Sequence, residues 1–360
     1  MKRAYNFNAG PGPVPEPVLI RARDEMFNFE QSGAAVMELS HRSKLYESIH
    51  FQAMEQIRQI LDVPDHMEIL FLQGGATLQF SMAPRNFLRK GQTGTYVLSG
   101  SWSEKAEKEA AYFGDTSILS SSKEANYAHI PDTDYSQAPD NSAYIHLTTN
   151  NTIFGTQWQD IPVNTTEIPV FADMSSDILS RRIDWTNVDL AYAGAQKNAG
   201  IAGVTIVIIS KDLLAKAEDG PPSTSYPVHA DKQSLYHTPP TGAIYITKLV
   251  TDWILENGGI DGMEQRAKAK SDMLYRLIDN SDGFFRGHAD THSRSSMNVT
   301  FRLENERLEK QFLDEAADKG FMGLNGHRSV GGCRASIYNA VPPEHVEALC
   351  SFMEDFRSRS

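Results

Sequence analysis

The sequence predicts an α/β fold: helices cover a mostly parallel, seven-stranded sheet in a large domain, and a smaller α+β domain follows. Short apolar runs alternate with amphipathic stretches through the middle of the chain, which is typical of repeated strand–helix–strand units. The run VTIVII at 204–209 is apolar on both faces, as expected for a strand with helices on both sides. A chain of 360 residues also has the length of about two domains.

The apolar runs give the expected strands of the large domain. They lie at 68–72, 94–98, 116–119, 143–147, 168–172, 188–192 and 204–209. The prolines and glycines of 6–17 favour an extended arm, and the apolar spacing after it predicts a helix over 17–28.

The domain boundary is expected where two glycines interrupt a long helical region. This region follows Pro239 and Pro240, breaks at Gly258 and Gly259, and resumes to Asp279. Beyond it we expect a strand at 297–303, a helix at 305–319, a strand at 333–338 and a helix at 343–356. The predicted division is an arm over 1–16 that packs with the small domain, a large domain over 17–258 and a small domain over 259–360.

The charge balance limits the partners. The chain has 46 Asp and Glu against 34 Lys and Arg, a net charge of −12. Because nucleic acids and anionic membranes are bound by basic surfaces, neither is an expected partner, and the balance argues at first against any anionic ligand. No run of about 18 apolar residues could cross a membrane, and none follows Lys2 and Arg3 to form a signal peptide. We therefore expect a cytoplasmic protein.

The cysteine and histidine patterns favour no disulfide and no metal site. Cys333 and Cys350 are expected to be free thiols in a reducing compartment. His288 and His292 resemble a metal-ligand pair, but no closed ligand set stands nearby and a solvated loop is favoured. The sequence has neither HExxH nor GxSxG, so neither a zinc protease nor a serine hydrolase is predicted.

Candidate ligand contacts follow the predicted strands, because ligands of parallel sheets bind beyond the carboxyl ends of the strands. QGGAT follows 68–72 and suits either an anion site at a helix N-terminus or a plain turn. SGSWSE follows 94–98, and a capping box between Ser101 and Glu104 would place Trp102 at a helix start. Trp102 is then either a core side chain or an aromatic plate for a flat ligand. TTNNT at 148–152 suits either a turn or contacts to ligand hydroxyls.

An acid and a lysine end two successive predicted strands. Asp173 is either a turn residue or a carboxylate that holds a cationic ring nitrogen. Lys197 stands among small residues in GAQKNAG, where a bulky group could approach its amine, although most lysines are solvated surface groups. Neighbouring strands are about 4.8 Å apart, so we expect the two side chains to lie close together. A phosphate cradle, an aromatic plate, an acid and a lysine together are what pyridoxal 5'-phosphate requires.

Further basic residues are candidate anion contacts. His41 and Arg42 form one His-Arg pair, His327 and Arg328 form a second, and Arg334 follows a Gly-Gly turn. Arginine binds carboxylate and phosphate groups through two parallel hydrogen bonds. A surface salt bridge is the common alternative for any one of them.

Several long motifs resemble the phosphoserine aminotransferase family, which has the aspartate-aminotransferase fold (fold type I). They span essentially the whole chain: NFNAGPGPVP, the His41-Arg42 pair, GGAT, SGSW, FADMSSD, YAGAQKNAG, YHTPPT and GHRSVGGCRASIYNA. The resemblance implies pyridoxal phosphate as cofactor and a homodimer with active sites at the subunit interface.

The resemblance also assigns roles to individual residues. Catalysis would rest on Lys197, the Schiff-base lysine, and Asp173, the partner of the pyridine nitrogen. The implied cofactor contacts are Ala76, Thr77, Trp102, Thr152, Asp173, Gln196, Lys197, and, from the other subunit, His237 and Thr238. The implied substrate contacts are His41, Arg42, His327, Arg328 and Arg334. Many family members have Arg in place of Thr77 and Asn in place of His237.

The implied reaction moves the amino group of L-glutamate to 3-phosphohydroxypyruvate in two half-reactions, giving O-phosphoserine and 2-oxoglutarate. It belongs to serine biosynthesis, and a second role in pyridoxine biosynthesis is left open. The alternatives are another fold type I enzyme, such as a different aminotransferase or a cysteine desulfurase, and a non-catalytic protein that binds a phosphate ligand. A desulfurase would need a mobile nucleophilic cysteine.

Overall fold

The structure, a computed structural model, describes residues 3–360. Its strands, in chain order, are β1 Tyr5–Asn6, β2 Met67–Gln73, β3 Thr93–Leu98, β4 Asp115–Ser121, β5 Ser142–Thr148, β6 Asn150–Asn151, β7 Thr156–Gln157, β8 Val170–Asp173, β9 Leu190–Gly194, β10 Val204–Ser210, β11 Arg286–Gly287, β12 Asn298–Arg302, β13 Phe321–Met322 and β14 Cys333–Ser336. Its α-helices are α1 Glu16–Asp24, α2 Lys44–Leu61, α3 Ala76–Phe87, α4 Ser101–Ala110, α5 Lys211–Leu214, α6 Tyr226–Asp231, α7 Thr241–Glu256, α8 Gly259–Asp279, α9 Glu306–Asp318 and α10 Pro343–Arg359.

A mostly parallel sheet of seven strands forms the centre of the described chain, as the sequence predicts. The spatial order is β2-β10-β9-β8-β5-β3-β4, and every predicted strand of the large domain corresponds to one of them. Only β10 runs against its neighbours β2 and β9, while the other pairs are parallel. The carboxyl ends of β2, β3, β5, β8 and β9 therefore share one edge of the sheet.

Both faces of this sheet are covered. Because successive side chains of a strand point to opposite faces, alternate residues of β2 enter different cores. Ile69 and Phe71 pack into a core with residues of α2 and α7, whereas Leu70 and Leu72 pack into a second core with residues of α3 and α4. Every residue of β10 is buried, which explains its apolar character on both faces.

The predicted start of α4 is wrong by one residue. The N-cap is Gly100, Ser101 is already helical, and the hydroxyl of Ser103 rather than Glu104 accepts a hydrogen bond from the Gly100 N–H at 3.2 Å. A Cβ atom at Gly100 would lie 2.5 Å from Oδ1 of Asn151. The close approach of α4 to this asparagine thus requires glycine at the cap.

The C-terminal part of the chain has its own core. Aromatic and aliphatic residues of α8, α9, α10 and the three-stranded sheet β11-β12-β14 pack together with Phe7 of the N-terminal segment. β1 pairs in parallel with β13, so the N-terminal segment lies against this part of the chain. The domain limits 1–16, 17–258 and 259–360 stay predictions, and Met1 and Lys2 of the arm lie outside the described residues.

A helix that crosses a membrane must be long and apolar. Across residues 3–360, none of the helices has the necessary length and hydropathy.

Candidate active site

A cleft of about 500 Å³ opens at the shared carboxyl edge of the central sheet. Most of the predicted cofactor contacts line it: Ala76, Thr77, Trp102, Thr152, Asp173, Gln196 and Lys197. An adjoining hollow shares several of these residues and adds Gly10, His327 and Arg334. Residues from distant parts of the sequence therefore meet where the strand ends predict a ligand site.

Asp173 ends β8 and is only 5% exposed. Its Oδ1 accepts hydrogen bonds from the backbone N–H of Ser175 at 3.0 Å and from the Ser175 hydroxyl at 2.6 Å. Burial raises the pKa of Asp173, and the Ser175 hydrogen bonds and the nearby Lys197 only partly oppose this effect. A buried carboxylate of this kind is stabilised when a cationic group lies against it.

Lys197 follows β9, the strand that pairs in parallel with β8, so the predicted proximity of the lysine and the acid is confirmed. Its Nζ donates a hydrogen bond to Oγ1 of Thr152 at 2.8 Å. Burial lowers the pKa of Lys197 from 10.5 to about 8, while the negative charge of Asp173 acts in the opposite direction. A lysine with this pKa is partly uncharged near neutral pH and can act as a nucleophile.

Trp102 supplies an aromatic wall of the cleft. The centre of its ring lies 6.0 Å from Nζ of Lys197. Its indole Nε1 is buried and has no hydrogen-bond partner among residues 3–360. The ring lines the cavity rather than being enclosed in the core, which favours the interpretation as a plate for a flat ligand.

The N-terminus of α3 forms the anion end of the cleft. Ala76 and Thr77 are the first two residues of this twelve-residue helix, so their N–H groups have no partner within the helix. The preceding Gly74 has φ +97°, a conformation that favours glycine and turns the chain from β2 into the helix. Free N–H groups and the helix dipole together favour a phosphate at this point.

These groups fit pyridoxal phosphate. The helix end suits its phosphate, the indole suits the face of its ring, the buried carboxylate suits its ring nitrogen, and the amine with lowered pKa suits its aldehyde. All four groups lie around one cavity, as the sequence predicts.

Comparison with known proteins agrees with this chemistry. The profile of the family described as aminotransferase class-V matches residues 4–349. A phosphoserine aminotransferase of Geobacillus kaustophilus is 58% identical over 360 residues, which are 100% of this chain and 99% of the relative. The chain belongs to the class-V aminotransferases and, among them, to the phosphoserine aminotransferase family.

Solved structures of the phosphoserine aminotransferase family have the same fold. The enzyme from Bacillus circulans subsp. alkalophilus is 48% identical, with a TM-score of 0.97 and 100% of both chains covered. A phosphoserine aminotransferase from Trichomonas vaginalis, solved with pyridoxal phosphate bound, is 36% identical, with a TM-score of 0.91, covering 98% of this chain and 100% of the other. The predicted family, fold and cofactor are therefore confirmed.

The cysteine desulfurase alternative is not supported. Cys333 lies in β14 and is 1% exposed. Burial raises the pKa of its thiol well above the ordinary value, whereas a nucleophilic cysteine needs an accessible thiolate.

Two of the predicted substrate contacts, His327 and Arg334, lie in the hollow beside Lys197. Arg334 is buried, and its Nη1 donates to the backbone carbonyl of Thr152 at 3.2 Å. The Nε of Arg334 has no hydrogen-bond partner within the described range. His327 is half-buried, and its Nδ1 is 2.7 Å from the hydroxyl of Ser329. Both side chains are free to bind an anion with their remaining nitrogen atoms.

The other predicted substrate contacts are not among the residues that line this cleft. Arg42 and Arg328 are exposed. His41 is half-buried, and its Nε2 lacks a hydrogen-bond partner within residues 3–360. Within one chain, none of these three residues lines the cleft or the adjoining hollow.

The predicted contacts from the other subunit also lie outside the cleft of their own chain. Thr238 is exposed, and its backbone carbonyl accepts a hydrogen bond from Nε2 of Gln73 at 2.7 Å. His237 is half-buried, and its Nδ1 has no partner in the described part of the chain.

Two residues of the site were missed from the sequence. Ser175 supports Asp173, and its spacing of two residues after an Asp is the signature of an Asx turn, which could have indicated the contact. The hydroxyl of Tyr338 donates to the carbonyl of Ala9 at 2.6 Å and so fixes the N-terminal segment beside the cleft. No local pattern signals that contact.

Proposed function

We propose that this protein transfers the amino group of L-glutamate to 3-phosphohydroxypyruvate, giving O-phosphoserine and 2-oxoglutarate in serine biosynthesis. The observation that carries the proposal is the pairing of Lys197 and Asp173 at adjacent strand ends in a cleft that also contains His327 and Arg334. Relatives that match the whole chain are named phosphoserine aminotransferases.

The chain supplies the groups that a transamination needs. Bound pyridoxal phosphate would supply an electron-accepting ring that weakens the bond between the substrate Cα and its hydrogen. Lys197 would hold the cofactor covalently and, once displaced by the substrate amine, would move the proton at the substrate Cα as a general base. Its lowered pKa suits this role near neutral pH. Asp173 would hold the proton on the ring nitrogen, and Trp102 would orient the ring.

The substrates share two anionic ends, which the basic residues of the hollow suit. Each substrate has an α-carboxylate, and its far end is a carboxylate in glutamate and a phosphate in phosphohydroxypyruvate. Arg334 offers a planar fork of N–H donors, and His327 offers a ring N–H beside it.

We further propose a cytoplasmic homodimer whose active sites lie at the subunit interface. His41, Arg42, His237 and Thr238 do not line the cleft of their own chain, and the buried ring nitrogens of both histidines lack partners within residues 3–360. Placement against the cleft of a second copy would give these side chains a ligand. The division into an arm, a large domain to residue 258 and a small domain is part of the same proposal.

A coupled assay tests the activity. The wild-type protein should form O-phosphoserine from glutamate and phosphohydroxypyruvate, and other keto acids should be poorer acceptors. Lys197→Ala should abolish turnover and prevent fixation of the cofactor by borohydride, whereas Lys268→Ala, on an exposed face of α8, should change neither. Transamination by Lys197→Ala at the wild-type rate, or sulfide release from cysteine in place of phosphoserine formation, would refute the proposal.

A further inference from the structure

Four basic side chains that line the hollow or adjoin its lining residues have no acidic partner. Its members are Lys105, His327, Arg328 and Arg334, and none of the four forms an ion pair within residues 3–360. Glu104, the acid next to Lys105 in the sequence, already binds Lys123 at 2.7 Å. In a chain with a net charge of −12, unpaired positive charges at one place favour an anionic ligand there.

Lys105 is the member of this group that the sequence did not indicate. It is exposed on α4, one turn after Trp102, and its Nζ lies 4.3 Å from the centre of the Trp102 ring. A cation over an indole ring is held by attraction to the ring electrons, yet its flexible stem leaves the ammonium free to bind a second group. The side chain is therefore fixed against the wall of the cleft with its charge still available.

Trp102, against which Lys105 packs, lines the same hollow as His327 and Arg334. Burial and the positive charges of Arg334, Lys105 and Arg328 lower the pKa of His327, which agrees with this arrangement. The hollow beside His327 also contains Lys197 and Arg334, so an anion bound there would meet several donors.

We propose that Lys105 is a specificity-determining residue that contacts the phosphate group of the phosphorylated substrate. The inference rests on the proposed function. A phosphate has a charge of about −1.5 to −2 and three acceptor oxygens, whereas the γ-carboxylate of glutamate has one charge and two oxygens. The additional ammonium of Lys105 beside Trp102 favours the phosphate, because the electrostatic attraction grows with the charge of the ligand.

Steady-state kinetics of the holoenzyme test this role with a matched control. Lys105→Gln removes the charge beside Trp102, and Lys108→Gln removes an equally exposed charge one turn further along α4. For Lys105→Gln we expect KM for phosphohydroxypyruvate to rise about fivefold and KM for glutamate to rise less than about twofold, with kcat unchanged. Inhibition by inorganic phosphate should weaken by a similar factor, and Lys105→Arg and Lys108→Gln should resemble the wild type.

The outcomes separate this inference from the proposed function. If the wild-type protein does not use phosphohydroxypyruvate, the proposed function fails. If it does, but Lys105→Gln leaves both KM values unchanged or raises them equally, Lys105 does not select the phosphate. A fall in kcat or in cofactor content without a KM difference between the substrates would show that Lys105 only packs against Trp102, which also overturns the inference.

Discussion

Replacement of Asp173 by Asn tests the electrostatic basis of the site. Asn has nearly the same size, and its amide oxygen can still accept the two hydrogen bonds from Ser175, so the fold should be retained. The variant loses the negative charge of a side chain that is 5% exposed. A hydrogen bond between a buried carboxylate and a cationic ring nitrogen is stronger than a neutral one, and its loss removes about 3 kcal/mol. Since about 1.4 kcal/mol corresponds to a tenfold change in rate, kcat should fall about 100-fold with the cofactor still bound.

A second consequence of Asp173→Asn is measurable in the cofactor-free protein. Asp173 raises the pKa of Lys197, which burial otherwise lowers, and the net result is a pKa of about 8. Without the carboxylate, the pKa of Lys197 should fall below about 8. The amine is reactive only when deprotonated, so the pH at which its reaction with pyridoxal phosphate becomes half-maximal should shift downward.

The assays for this variant are transamination rate, cofactor absorbance and the pH profile of cofactor uptake. Asp189→Asn is the matched control, because Asp189 is a partly buried acid at the opposite end of the same strands and accepts a hydrogen bond from the backbone of Val170. The reasoning is refuted if Asp173→Asn retains wild-type kcat and the same pH midpoint, or if Asp189→Asn shows the same losses.

Two further predictions concern a buried lysine and the electrostatic field of the cleft. Lys270 is 0% exposed, and its Nζ donates to the backbone carbonyls of Ile337, Tyr338 and Val341 at 2.7, 2.6 and 3.0 Å. Lys270→Met removes all three hydrogen bonds, after which only the Tyr338 carbonyl keeps a donor, the backbone N–H of Val341 at 2.9 Å. The substitution should lower the free energy of unfolding by at least about 3 kcal/mol in urea, whereas a wild-type midpoint would contradict this account. KM for both anionic substrates should rise with salt concentration, because salt screens the attraction between the cleft and the substrates; a KM independent of salt would exclude such a field.

The sheet was predictable because its signals are local. Apolar runs and the strand–helix alternation fix the seven strands, and the burial of β10 on both faces matches its uninterrupted apolar sequence. The start of α4 was not predictable. The capping pattern at Ser101 and Glu104 is a local signal, but the cap is set by the approach of Gly100 to Asn151, a contact between distant parts of the chain.

The same distinction applies to the site. Asp173, Lys197 and Trp102 were predictable because each follows a strand end, and the topology brings those ends to one edge. The group around Lys105 was not, since nothing near Lys105 in the sequence indicates that His327 and Arg334, from the C-terminal part of the chain, line the hollow beside Trp102.

The acidic total of the sequence and the basic cleft describe different properties of the molecule. A net charge of −12 is a sum over the surface, and it argues against partners that bind an extended basic face, such as nucleic acids. A small anion responds to local charges rather than to that sum, because it enters a hollow lined by Arg334 and Lys197 and, on our proposal, flanked by Lys105. Low-dielectric walls weaken the screening of these nearby charges, so they dominate the potential that the substrate meets. A negative net charge is therefore fully compatible with an anionic substrate, because the substrate meets only the charges of the site.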